Sequence, residues 1–111
     1  GGSLCTRPID FRKGIVSLAA LVEGNLDRNP FSSQLFVFTN RHRNKVKILH
    51  WERNGFCLWK KRLEQEKFHW CRGSEGVLTI NSQQLNWLLD GLDISWMDGH
   101  KKIDYSFVSK Y

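Results

Sequence analysis

No apolar run in the sequence approaches the roughly 18 residues needed to cross a bilayer, so no membrane partner is expected. The three cysteines, Cys5, Cys57 and Cys71, cannot all pair and form no C-x-x-C motif, which argues against a disulfide framework. No charged and then apolar leader opens the chain. These absences predict a soluble protein of the reducing cytoplasm.

The motifs of common enzyme classes are also missing. The sequence contains no G-x-S-x-G, no H-E-x-x-H, no phosphate-binding loop and no dinucleotide fingerprint. Its aspartates are numerous enough for a metal site that supports phosphoryl transfer, but they fall in predicted caps, turns and the tail: Asp10, Asp27, Asp90, Asp93, Asp98 and Asp104. Carboxylates in such places are ordinarily solvated, so we expect no catalytic residues.

A zinc site is an alternative that the sequence supports weakly. Its conceivable ligands are His50, Cys57, His69 and Cys71. His69 and Cys71 are two positions apart on one predicted strand and lack the C-x₂₋₄-C spacing of structural zinc sites. A strand histidine and a buried free thiol are much commoner. We therefore expect neither a metal nor another cofactor.

The composition is that of one folded domain. Hydrophobic residues make up 41% and charged residues 25% of the 111-residue chain, which is enough to bury a core at this size. We expect a single domain over residues 1–111. The opening "GGSL" has no methionine, so residues 1–3 are interpreted as a tag remnant or a trimmed start, and residues 95–111 as an irregular tail.

The positive charge is concentrated in one part of the chain. The net charge is +6, and residues 41–72 hold ten lysines and arginines against three glutamates, a net charge of +7. The rest of the chain holds seven basic and eight acidic residues, a net charge of −1. Such a block is expected if one surface meets a polyanion. The alternative is that solvated strands use these residues for solubility and to protect sheet edges.

Periodicity predicts two helices around a sheet. Apolar residues at helical spacing indicate a helix over residues 8–23, with Thr6 or Asp10 as its cap, and a second over residues 82–91 with Asn81 or Ser82 as its cap. Between them, "QLFVFTN", "KVKILHWE", "FCLWKKRL" and "KFHWC" have strand composition. The predicted fold is α+β, an antiparallel meander of about four strands with both helices packed on one face.

The Asn54-Gly55 pair predicts a tight hairpin turn, with Arg53 opposite Phe56. In that register one face carries the expected core, formed by Phe36, Phe38, Val46, Ile48, Trp59 and Leu63. The other face carries Lys45, Lys47, Lys60 and Arg62 near Trp51, Phe56 and Leu58. Cations beside exposed aromatic rings are typical of a nucleic-acid surface. Two alternatives stay open: the tail residues Trp96, Tyr105 and Phe107 cover those rings, or a one-residue slip exchanges the two faces.

Three long stretches resemble a known family. "PIDFRKGIVSLAALVE", "LFVFTNRHRNKVKILHWERNGFCLWKKRLEQEKFHW" and "LTINSQQLNWLLDGLD" are similar to the accessory proteins, called TnpB or the second open reading frame product, of bacterial insertion-sequence family sixty-six. The resemblance covers about residues 5–94. Two departures are Cys71, where the family usually has proline, and an N-terminal strand before Cys5 that we expect to be absent or cut short.

The resemblance implies a helper protein of insertion-sequence transposition, working beside a separate and larger catalytic transposase. Together with the basic block it favours DNA binding, with the ends of the element as the expected target. The candidate contacts are Arg12, Lys13, Arg41, Arg43, Lys45, Lys47, Trp51, Lys60, Lys61 and Arg62. The alternative is an adaptor that docks on the transposase through the patch around Trp51 and Phe56.

Overall fold

A computed structural model describes residues 1–71 and 76–93. In chain order the elements are β1 (Gly2–Cys5), α1 (Ile15–Gly24), β2 (Leu35–Thr39), β3 (Lys45–Glu52), β4 (Gly55–Arg62), β5 (Val77–Ile80) and α2 (Ser82–Leu89). The predicted α+β class is confirmed. Neither described helix is long and apolar enough to cross a membrane. The predicted tail, residues 95–111, lies outside the described residues.

The five strands form one mixed sheet in the order β4-β3-β2-β1-β5. β2, β3 and β4 are successive antiparallel neighbours, as the meander prediction requires. β1 pairs parallel with β2 and antiparallel with β5. A parallel pair needs a crossover connection, and here α1 lies in the chain between its two strands. The all-antiparallel, four-strand prediction was therefore wrong at this side of the sheet.

Two sequence segments were misassigned. Gly2–Cys5 forms a buried inner strand of four residues, so the expectation that this N-terminal strand could be absent was wrong. "KFHWC" is not a strand, although Phe68 and Trp70 are buried in the core. The Trp70 indole N–H donates to the Cys5 carbonyl at 2.8 Å, which fixes this irregular segment against β1.

α1 begins later than its periodicity predicts. Its N-cap is Gly14, with no side-chain cap, and Asn25 ends it as expected. Asp10 instead closes a local turn, because its side chain accepts the Arg12 backbone N–H at 2.9 Å. α2 has the predicted cap: Asn81 accepts the Gln84 backbone N–H, and the Gln84 side chain accepts the Asn81 N–H in return.

The two helices lie on opposite faces of the sheet. Leu18 and Val22 of α1 pack with Phe36, Phe38 and Leu49. On the other face, the α2 residues join a second buried cluster: Leu4, Val37, Val46, Ile48, Phe68, Trp70, Ile80, Leu85 and Leu88. The prediction that both helices cover one face was wrong. The expected shared core was wrong as well, since Phe36 and Phe38 lie on the α1 face and Trp59 is 45% exposed.

The residues predicted to share one core face lie on two faces because the strand registers differ from the predicted ones. Phe36 pairs with Leu49 and Phe38 with Lys47, one residue away from the predicted register. In the β3–β4 hairpin, Glu52 pairs with Gly55, so the loop is Arg53-Asn54 and Arg53 adopts the positive φ of 53°. That second shift is by two residues. It therefore leaves the alternation of faces along β3 and β4 as predicted.

We expect Phe38→Ala to lower the free energy of unfolding by roughly 3–5 kcal/mol. The Phe38 side chain is 0% exposed between the sheet and α1, so its removal leaves a cavity there. Val16 on α1 is 82% exposed, so Val16→Ala is the matched control and should change stability by about 0.5 kcal/mol or less. Urea unfolding followed by circular dichroism measures both. Equal midpoints for the two variants would contradict the assigned core.

Candidate nucleic-acid interface

Four cations form a compact group on the α1 face, at the end of the sheet away from the β3–β4 turn. Lys45 pairs with Arg62, and Lys47 pairs with Lys60, across neighbouring strands. We call these four residues the cationic block. Their placement on one face agrees with the sequence prediction, although the predicted pairing of Lys47 with Arg62 was wrong. Like charges directly opposite each other on a sheet are destabilising.

Lys47 is the buried member of the block. Its side chain reaches the segment before α1, where Nζ donates to the Phe11 carbonyl at 2.7 Å and to the Lys13 carbonyl at 2.8 Å. The ammonium also lies 4.7 Å from the centre of the Phe11 ring. Lys47 is only 6% exposed. Burial, followed by the neighbouring charge of Lys60, lowers the pKa of Lys47. The predicted role of Lys47 as a solvated phosphate contact does not fit this burial.

Three members of the block, Lys45, Lys60 and Arg62, line a shallow cavity. A depression of about 370 Å³ is lined by Phe11, Lys45, Val46, Lys60, Lys61 and Arg62. Arg62 also forms an exposed ion pair with Glu64 at 3.2 Å. Within the described residues, neither Lys45 nor Lys60 has an ion pair within 4 Å. Two cations therefore remain available to an external anion beside a floor formed by Phe11.

The remaining predicted cations differ in availability. Lys61 donates to the Leu89 carbonyl at 2.7 Å, at the end of α2, so it holds that helix on the opposite face. Arg12 is 92% exposed but pairs with Asp10 at 2.6 Å, and this contact lowers the pKa of Asp10 to about 2. At neutral pH the charge of Arg12 is thus largely compensated by its neighbour.

The loop between β2 and β3 carries two further predicted contacts. Asn40 organises it, since its side-chain oxygen accepts the backbone N–H groups of Asn44 and Lys45, each at 3.1 Å. Arg41 is exposed and lines a small depression that also includes Asp10. Arg43 is half-buried with a positive φ of 58°, and its carbonyl accepts the Phe68 N–H at 2.7 Å. Arg41 is therefore the more accessible of the two arginines.

Lys13 lies in the segment between β1 and α1. It is half-buried, and its carbonyl accepts one of the two bonds from Lys47. It lines a cavity of about 390 Å³ together with Arg7, Leu21 and Asn25. That cavity is separate from the one within the cationic block, since they share no lining residue.

Trp51 belongs to an aromatic cluster rather than to the cationic block. Its ring centre lies 4.9 Å from that of Phe56 and 5.0 Å from that of Phe31, and Phe31 lies 5.4 Å from Phe56. These three residues form what we call the aromatic cluster. Phe31 is 56% exposed. The alternative cover by Trp96, Tyr105 and Phe107 falls outside the described residues.

Phe11 and Phe31 were missed from the candidate site. Phe31 lies in a loop, where no periodic pattern assigns a side chain to a face. Periodicity placed Phe11 in the predicted helix over residues 8–23, but it lies in the segment before α1. The "RNPF" turn signal places Phe31 in a loop, but it does not indicate that the loop folds back onto β3 and β4.

Potential metal ligands do not cluster in the part of the chain that the structure describes. No group of three or more His, Cys, Asp or Glu residues in residues 1–71 and 76–93 could hold a metal ion. Cys5 and Cys71 are buried, Cys57 is exposed, and none of the three is joined to another described cysteine by a disulfide bond. Burial raises the pKa of the Cys5 thiol.

We expect Lys47→Met to destabilise the fold by roughly 1–3 kcal/mol, because two carbonyls lose their donor while the apolar stem is kept. Lys60→Met is the matched control: it removes an exposed charge from the paired position and should change stability by about 0.5 kcal/mol or less. Thermal and urea unfolding compare the two. Equal stabilities would show that the buried ammonium does not secure the segment at residues 11–13.

Comparison with known proteins identifies the family. The family described as IS66 Orf2 like protein matches residues 3–99. Two similar proteins come from Sinorhizobium fredii. The first, the uncharacterized protein y4hO, is 37% identical over 90 residues, covering 81% of this chain and 78% of that protein. A second, y4jC, is also uncharacterized and is 32% identical over 90 residues, covering 81% of this chain and 77% of that protein. No solved structure shows a significant match. The chain belongs to the family of IS66 Orf2 like proteins.

Proposed function

We propose that this protein is a non-catalytic accessory protein of insertion-sequence transposition that binds DNA through three members of its cationic block, the half-buried Lys45 and the exposed Lys60 and Arg62. Family membership supports the transposition role. The DNA-binding role is supported by the geometry of the block. The expected target is duplex DNA at the ends of the element, and the expected partner in the reaction is the separate catalytic transposase.

The observation that carries this proposal is the stacking of like charges on neighbouring strands. Lys45 faces Arg62 and Lys47 faces Lys60, and each such pair costs roughly 0.2–1 kcal/mol relative to a neutral pair. Of these four cations, only Arg62 has a carboxylate partner within the described residues. A phosphate beside Lys45, Lys60 and Arg62 would relieve this repulsion, because it adds a negative charge among the accessible cations.

The block is suited to backbone contact rather than to base recognition. Its two available ammonium groups are point charges without the planar fork that reads guanine edges. Neither of the two described helices contributes a residue to the block or to the depression beside it. Lys47 supports the surface from below by holding the segment that carries Phe11. We therefore expect broad duplex binding whose affinity depends strongly on salt.

Arg41 and Arg12 extend this surface. Both border Asp10, either by lining the same depression or by direct ion pairing. A phosphate could compete with Asp10 for the Arg12 guanidinium, which is highly exposed. These two arginines are expected to contribute less than the block, since the carboxylate already offsets part of their charge.

Lys45→Ala and Lys60→Ala should each weaken binding to duplex DNA, with little dependence on sequence. Each lost phosphate contact should reduce the slope of log K against log salt by about 0.9, and the double variant by about 1.8. Fluorescence anisotropy with a labelled duplex, measured across a salt series, gives both quantities.

Lys67→Ala is the matched control, because Lys67 is exposed and carries the same charge outside the block. It should leave the salt slope unchanged. If the double variant kept the affinity and slope of the unsubstituted protein, DNA binding through this block would be rejected.

A second candidate function is docking on the transposase through the aromatic cluster. The observation in its favour is the exposure of Phe31, which extends the packed pair of Trp51 and Phe56 to the surface. Large aromatic residues are enriched at the centres of protein interfaces. This patch is independent of the block, so both contacts can exist in one protein.

Phe31→Ser tests the adaptor function, since it removes the exposed ring and keeps the half-buried pair of Trp51 and Phe56. Capture of the element's purified transposase should fall at least tenfold, equivalent to about 1.4 kcal/mol, if the cluster is a docking site. The salt slope for DNA should stay the same. Unchanged capture by Phe31→Ser would exclude this cluster as the contact.

A further inference from the structure

β4 is a long edge strand. It contains eight residues, Gly55–Arg62, and within the described residues only β3 pairs with it. The opposite edge of the sheet, β5, contains four residues. Short edge strands are one device that proteins use against unwanted pairing, and β4 does not use it. Its outer edge presents main-chain groups that another strand can pair with.

The register shows which residues carry those groups. Leu63 donates its N–H to the Asn44 carbonyl at 2.9 Å, toward β3. Asn44 and Leu63 are therefore a hydrogen-bonded pair that continues the β3–β4 register, next to the pair of Lys45 and Arg62. Hydrogen-bonded and non-hydrogen-bonded pairs alternate along an antiparallel ladder. The main-chain groups of four residues therefore point away from β3: Phe56, Leu58, Lys60 and Arg62.

Charge divides β4 into two halves. Residues 55–59 carry no charge, whereas Lys60, Lys61 and Arg62 follow in succession. A parallel neighbour of the same sequence would place cation beside cation. An antiparallel copy places the cations of each strand beyond the uncharged half of the other. Near the turn, Glu52 accepts a hydrogen bond from the Cys57 thiol at 3.7 Å, and the neighbouring Arg53 carries the opposite charge, so the end that the partner's cations approach has no net charge.

We propose that two copies of this protein associate edge to edge through β4, antiparallel, with a two-fold axis at Cys57. Phe56 of each copy then pairs with Leu58 of the other, using the outward main-chain groups of both. Lys60 and its equivalent lie six residues apart along the strands, about 20 Å, so their repulsion is weak. Registers centred on residue 58 or 59 bring these two cations closer together.

The second copy is favoured over an unrelated strand because β4 is complementary to itself. The two-fold axis pairs the uncharged residues 55–59 of one copy with the same residues of the other, and it leaves the cations of both copies outside the paired region. The axis is perpendicular to the sheet, so both cationic blocks lie on the same side of the paired sheet. The association itself does not rest on the DNA-binding proposal.

Cys57 provides a direct test of the register. Its side chain is exposed and lies at the axis in a non-hydrogen-bonded pair, where Cα atoms are about 4.5 Å apart, within the range for a disulfide. Diamide, which accepts the two electrons and two protons of the two thiols, should convert the protein rapidly to a covalent dimer. Cys5 and Cys71 are buried and should not react. Cys57→Ser should abolish the cross-link while sedimentation still shows a dimer.

The matched control moves the thiol along the same strand. Lys60→Cys in the Cys57→Ser background places an exposed thiol about 20 Å from its equivalent, so cross-linking should fall at least tenfold.

Leu58→Pro removes an N–H that points outward. A monomer tolerates this loss at an edge strand, so the variant should be a folded monomer. A monomeric unsubstituted protein, a dimeric Leu58→Pro, or equal cross-linking at residues 57 and 60 would overturn the proposal. If Leu58→Pro does not fold, the two thiol positions decide alone.

Discussion

Burial of the sheet on both faces is the constraint on which the remaining structure depends. In β2 the aromatic pair Phe36 and Phe38 points to one side and Val37 to the other, and all three are 0% exposed. Neither face can be left to solvent, so each needs its own cover. α1 covers one face, while α2 and the segment around Phe68 and Trp70 cover the other. The two helices consequently cannot share a side.

This division determines where a charged surface is possible. α1 is ten residues long, about 15 Å, and its buried residues cover the apolar part of its face. The cations begin where that apolar cover ends. Lys47 lies at the boundary, with its ammonium bonded to main-chain carbonyls from the preceding segment. One side chain thus completes the hydrophobic layer with its stem and supports the charged layer with its head.

The sequence predicted features that depend on local chemistry. The Asn81 cap, the end of α1 near Gly24 and Asn25, and the grouping of four cations on one face of the β3–β4 hairpin all follow from short-range patterns. The four-residue β1 is too short to show alternation, and its partners lie far along the chain. Neighbouring loops set the strand registers through Asn40 and the positive φ angles of Arg43 and Arg53, which composition does not reveal.

The position of β1 also has a consequence for synthesis on the ribosome. β2, β3 and β4 pair with neighbours in sequence, so they can associate as soon as they emerge. Gly2 pairs with Ile80, which is made only after the rest of the sheet. Contacts so distant in sequence close slowly because of their loop entropy. Until Ile80 appears, one edge of β1 stays open in the nascent chain, so completion of the sheet depends on a strand from its last third.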